Sequence, residues 1–285
     1  MNAGHNTIGR AALAACLVGA IGLAASAPDS AVLEYKMPAG RVLTYQTSSE
    51  DAQVMEVMGQ TMDTHMTNTG TFTFRAKGLK DKNLVLGATI DDIAASVTGA
   101  QGDMSPDMSS IKGKSFDMVL SPLGVEVDVS GAEALTYAIA TESRSVANGF
   151  KVFFPNLPGK PVKVGDTWPS SDATEEKTGS VTIQTQLQSV HTLEGFETVD
   201  GMECARVSSQ VTGTISGSGS QMGQDMTFSG TSKGKNVWHF AVKDGIFVKG
   251  TSEATTEMSI DVSSAGVTIP MSVTNKSEVK LTGKQ

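Results

Sequence analysis

The stretch Val181-Thr-Ile-Gln-Thr-Gln-Leu-Gln-Ser189 decides how the rest of the chain reads. Val181, Ile183, Thr185, Leu187 and Ser189 take one side, and Thr182, Gln184, Gln186 and Gln188 take the other. Alternation of this kind marks a strand with one dry and one wet face, hence an antiparallel sheet that meets water on one side. The same period governs Met258, Ile260 and Val262, then Val267, Ile269, Met271 and Val273, on either side of Ser263-Ser264-Ala265-Gly266. Asp200-Gly201 and Asp244-Gly245 suit the positive φ angles of tight hairpin turns. About ten strands are expected, many of roughly 12–16 residues where five or six is usual. Strands this long on one sheet curl towards a half-barrel or open barrel. The fold class is therefore mainly β, a large curved antiparallel sheet.

One segment departs from period two. Ser130-Gly-Ala-Glu133 fits a capping box, Leu135, Ala138, Ile139, Glu142 and Val146 follow at helical spacing, and Asn148-Gly149 offers a stop. The pattern predicts one inserted amphipathic helix of about four turns, lying against the sheet. After it, Phe153-Phe154-Pro155-Asn-Leu-Pro158-Gly-Lys-Pro161 reads as a stiffened loop crossing between halves. The halves resemble each other: Gly40–Tyr45 pairs with Val164–Trp168, and Phe116–Gly124 with Val237–Gly245, at similar offsets. Residues 28–285 are read as a single β domain of two pseudo-repeats, about 35–150 and 160–285.

Residues 1–27 read as an export signal. Arg10 precedes a run of small and aliphatic residues from Ala11 to Ala25, and Ala25-Ser26-Ala27 supplies a cleavage site. Leu13-Ala14-Ala15-Cys16 resembles a lipobox, but few apolar residues separate Arg10 from Cys16 and the apolar run continues beyond it, which argues against a lipid anchor at Cys16. No later stretch approaches the roughly 18 apolar residues of a spanning helix, so the mature chain is read without a transmembrane span. The expected location is periplasmic or extracellular. Without the leader one cysteine remains, Cys204, so no internal disulfide forms, and its alternating surroundings read as a buried strand position.

The whole chain has 285 residues, a net charge of −8, 30 Gly, 14 Met and 15 aromatics. A negative chain without a basic footprint excludes a nucleic-acid partner. Catalytic motifs are near misses. Gly230-Thr-Ser232-Lys-Gly234 matches a nucleophile elbow, but both flanks read as strand where that motif needs a strand-to-helix turn. His65, His191 and His239 stand alone, without metal-ligand spacing. No enzyme, metal or cofactor is expected.

The methionines are the specific oddity. Met55, Met58, Met62 and Met66 crowd one stretch, and Met58-Gly-Gln-Thr-Met62 recurs as Met222-Gly-Gln-Asp-Met226, each between strand-like runs. Two uses compete: an adaptable lining for an apolar ligand, and a soft Cu(I) site. Met55, Met58, Met62, Met66, Met222 and Met226 are the groove candidates. Asp166 and Trp168 are loop-contact candidates, weighed against a turn followed by a core anchor.

The run Phe154-Pro155…Pro161-Val-Lys-Val-Gly-Asp-Thr-Trp168, with His191-Thr-Leu-Glu-Gly195 and Gly201-x-x-Cys204-Ala, resembles a group of secreted bacterial domains of unknown function. In outline the long-stranded meander is also similar to periplasmic lipoprotein-carrier half-barrels. That likeness implies an apolar groove and transfers no functional residue. The function expected is non-catalytic binding in the cell envelope, with a lipid or apolar small molecule, or an envelope protein, as partner. The alternatives are a structural or interaction protein with a filled core, and a Met-rich Cu(I)-binding protein.

Overall fold

The computed structural model describes residues 30–99, 102–103, 105–139, 142–221 and 223–285. The segment read as an export leader, with Cys16, lies outside them, as do Met104 and Met222. Along the first half run β1 (Val42–Val57), β2 (Gln60–Lys80), β3 (Asn83–Gly99), β4 (Gly102–Asp103), β5 (Ser115–Leu120) and β6 (Glu126–Asp128). A short hairpin follows, β7 (Thr136–Ile139) and β8 (Glu142–Ser145). The second half supplies β9 (Thr167–Thr178), β10 (Val181–Val199), β11 (Met202–Gln221), β12 (Gln224–Ala241), β13 (Ile246–Val262) and β14 (Val267–Lys284).

One antiparallel sheet takes the order β6-β5-β3-β2-β1-β14-β13-β12-β11-β10-β9, with β4 on the side of β3, and it curls into a half-barrel. The two halves of the chain join through β1 and β14, paired from Leu43–Lys284 to Met55–Met271. Two features make it curl. On the inner side of β11 and β12, a Cβ at Gly217, Gly230 or Gly234 would come within 2.9 Å of a carbonyl oxygen on the neighbouring strand, and one at Gly219 within that distance of the Ser180 carbonyl in the turn before β10. These bare positions let the backbones close up on the inside of the bend. Register shifts at Thr44/Tyr45, Thr71/Phe72, Ala76/Gly78, Leu193/Gly195 and His239/Phe240 all fall towards one end of the strands. Bulges add twist there and fold that end around its contents.

Those contents are aromatic. Tyr45, Phe74 and Phe240 are fully buried. Phe150, Phe153 and Phe154 enter from the loop between halves and pack edge-on to Phe72, Phe74 and Phe116. The Tyr45 hydroxyl donates to the Phe247 carbonyl at 2.7 Å, so the one polar atom of that ring is satisfied. Residues 31–37, 105–114 and the described residues of 129–165 together form a plug across this end, adding Leu33, Tyr35, Ile111 and Leu157 to the core.

The predicted helix is absent. Residues 130–150 form a 3₁₀ turn at Ser130–Ala132, the β7–β8 hairpin, and one α-helical turn at Ala147–Phe150. Ser130 Oγ donates to Asp128 Oδ1 at 2.7 Å and caps no helix. Leu135, Tyr137 and Val146 still reach the core, because alternate residues of a hairpin present one face as a helical stripe would. The hairpin spans the gap between the sheet's edges: Asp107 bridges Ala138, and Arg144 pairs with Glu176 of β9 at 3.2 Å.

Candidate functional site

Beyond the plug the strands continue, and their inner face changes character. Met55 lies opposite Met62 on β2 and opposite Met271 on β14, and Met271 lies opposite Met258 on β13. Directly paired residues share a face about 5 Å apart, so Met62, Met55, Met271 and Met258 form one row across four adjacent strands. One step further out, Ile269, Ile260, Phe228, Gly217 and Ile183 form a second row across β14 to β10. All the side chains of both rows are half-buried. Nearer the plug the same face turns small and polar, with Ser49, Asn68, Ala254, Ser252, Asn275 and Ser277.

Two cavities lie where this face meets the plug. One of about 590 Å³ is lined by Phe72, Ile90, Ile93, Tyr137, Phe150 and Phe153 among others. The other, of about 440 Å³, runs along β9 to β14 under Phe153 and Phe154, with Leu187, Val211, Trp238 and Phe247 in its walls. Its polar edge is the second site feature. His191 is buried, with Nε2 2.8 Å from Ser170 Oγ and Nδ1 2.7 Å from Ser209 Oγ. Trp238 Nε1 donates to the same Ser209 Oγ at 3.1 Å. Burial pulls the His191 imidazole down to about 4, so it is neutral at ordinary pH. Across the gap at β6, burial pushes the Glu126 carboxyl up to about 8, against the opposing hydrogen bond from the Phe154 amide.

Of the sequence candidates, Met55, Met62 and Met66 share the inner face, and Met226 stands at its outermost rim opposite Val262. Met58 is no part of the row. With Gly59 it makes the hairpin tip at φ 52° and 77°, and it is 90% exposed. Asp166 closes a turn by accepting the Lys163 amide at 2.9 Å, and Trp168 is buried, its Nε1 donating to the Asn156 carbonyl at 3.1 Å. Cys204 is buried on β11, and desolvation pushes its thiol up to about 11. Ser232 meets the Thr256 hydroxyl, and His191 meets two serines, with no acid bonded to either among the described residues. His239 does reach an acid, Glu197 at 2.5 Å, but on the face opposite Trp238 and away from both cavities. Met258 and Met271 were visible as alternating strand residues; only their register makes them members of the site.

The outer face of the open half is Thr, Ser, Gln, Glu and Lys: Gln46, Ser48 and Glu50 on β1, Thr67 and Thr69 on β2, Lys233 and Lys235 on β12, Gln184, Gln186 and Gln188 on β10. A membrane-spanning barrel turns apolar side chains outward, and this alternation is the reverse. No described helix is long and apolar enough to cross a membrane either.

No protein-family model matches the chain, and no curated protein sequence does. Among solved structures it is similar to an exported protein with YmcC-like fold from Bacteroides fragilis, at TM-score 0.29 and 9% identity, over 89% of this chain and 99% of that one. An outer membrane channel from Pseudomonas putida gives TM-score 0.28 and 10% identity, over 87% and 97% of the two chains. The translocator domain of the autotransporter NalP from Neisseria meningitidis gives 0.22 and 8%, over 86% and 89%. With TM-scores this low, none of the three bears on what this chain does.

Proposed function

We propose that this is an exported, non-catalytic protein of the cell envelope that holds a lipid or other apolar molecule against the inner face of its half-barrel. The carrying observation is the row Met62–Met55–Met271–Met258, backed by the Ile and Phe row beside it and left half-exposed. Thioether side chains are flexible and polarisable, and they adapt to varied apolar partners. Covering them contributes about 25 cal/mol per Å² of apolar area removed from water. The reading of residues 1–27 as an export signal supports the location, and the hydrogen bonds of Ser232 and His191 to hydroxyl groups support a non-catalytic role. The filled-core alternative is disfavoured by the two cavities beneath the plug.

Solvent extraction and native mass spectrometry of the purified protein test this reading. A bound lipid-sized molecule is expected. Protein that carries no adduct and takes up no apolar ligand overturns it. The same row favours one second reading, since four thioethers on adjacent strands are soft ligands suited to Cu(I). There a rise in thermal stability with Cu(I) is expected, because a ligand bound only to the folded state must stabilise it; no shift removes that reading.

A further inference from the structure

We propose that the occupant of the cavity along β9 to β14 is a cationic amphiphile, its apolar chain lying on the inner face and its ammonium head seated at Asp172. This rests on the reading of that face as an apolar binding surface and names the class of molecule it takes.

Charge selects the head group. On the open part of the inner face the register places Asp51, Asp172 and Glu176, while the lysines there, Lys177, Lys233, Lys235 and Lys276, fall on the outer side. Glu176 is neutralised by Arg144 of the plug, and Asp51 accepts from Asn275 Nδ2 at 2.7 Å. Asp172 lines the cavity of about 440 Å³ and forms no ion pair among the described residues. Its oxygens accept only from Asn156 Nδ2, at 3.0 and 3.1 Å. Beside it, the buried Asn156 Oδ1 has no donor among the described residues. Lys151 and Asp172 both line the neighbouring gap at β6, and they form no ion pair with each other.

This edge of the cavity is therefore rich in acceptors and short of donors. An uncharged apolar ligand would cover a carboxylate without replacing its water, which is costly. An anionic head would add like-charge repulsion. An ammonium supplies three donors and the opposite charge to the acceptors already in place.

Chain-matched probes separate the terms: decylammonium, decanol and decanoate, titrated at pH 7 and followed by tryptophan fluorescence. Trp238 lines the cavity and Trp168 packs 6.2 Å from it, so both of the chain's tryptophans report there. Decylammonium is expected to bind at least about tenfold more tightly than decanoate, with decanol between, an interval of about 1.4 kcal/mol. In Asp172→Asn the spread should collapse to about threefold or less while decanol keeps its affinity. Decylammonium binding no more tightly than decanoate or decanol overturns the charge assignment and leaves apolar binding standing. An unchanged preference in Asp172→Asn overturns the seat at Asp172. Binding of none of the three overturns this inference together with the reading beneath it.

Discussion

The two ends of the same strands are built by one alternation and filled differently. At the plugged end the inner positions are Tyr45, Phe74, Leu86 and Phe240, all fully buried under Phe150, Phe153 and Phe154. At the open end of the same sheet they are Met55, Met62, Met258 and Met271, half-buried and uncovered. The difference lies in what the chain brings to each end. The segments 31–37, 105–114 and 129–165 cover the first, and two-residue turns such as Met58-Gly59 bring nothing to the second. Rigid rings fill a space whose partners are fixed; flexible thioethers line one whose partner is not part of the chain.

The largest expected effect breaks the filled end. Phe74→Ala should cost about 3–5 kcal/mol in chemical denaturation, whereas Met271→Ala should cost about 1 kcal/mol or less, because its half-exposed side chain leaves little cavity. Equal costs would mean that the open end is packed too.

A second effect comes from pH. The neutral Glu126 carboxyl ionises at about 8 when folded against 4.5 unfolded, so its stabilisation is full below 4.5 and is lost as pH rises to about 8. His191 runs the other way, at about 4 folded against 6.5 unfolded, so its stabilisation is full above 6.5 and is lost as pH falls to about 4. The two slopes oppose between pH 4.5 and 6.5, and above 6.5 the Glu126 loss stands alone. From pH 6.5 to 8 it amounts to about 2 kcal/mol, and Glu126→Gln should abolish it while keeping an acceptor for the Phe154 amide. Denaturation curves at pH 6.5 and 8 decide the matter.

Smaller effects probe the open end. Gly230→Ala should cost about 1–2 kcal/mol, since its Cβ would come 2.6 Å from the Glu257 carbonyl and force the curl to relax. Met271→Glu should change stability by about 0.5 kcal/mol or less, being partly solvated, yet it should abolish uptake of apolar ligand in the extraction assay. Retained uptake would separate the methionine row from binding.

Much of this was legible before any coordinates. Period two along Val181–Ser189 and Met258–Val273 assigns faces because a strand alternates every residue. Asp200 and Gly201 take φ 49° and 77°, as a tight turn demands. The segment 130–148 misled because its apolar spacing serves a helix and a short hairpin alike, and Thr136, Tyr137 and Ile139, poor helix formers, tip it to strand. The bulges left no trace, because one unpaired residue looks like any other until its partner strand is known. Met55 and Met62 could be paired by counting from the Met58-Gly59 turn. Asp172 could not be set beside Asn156, since only the folded plug brings them together.

By itself the sequence determined the strands, their wet and dry faces and most of their turns, for these follow from backbone geometry and neighbours close in the chain. Tertiary structure alone decided which end is filled and where the methionines meet. Met55 and Met271 stand at opposite ends of the chain, and the hydrogen-bond register of β1 on β14 makes them neighbours. Register between distant strands is set by the packing of the whole sheet, which no local pattern encodes.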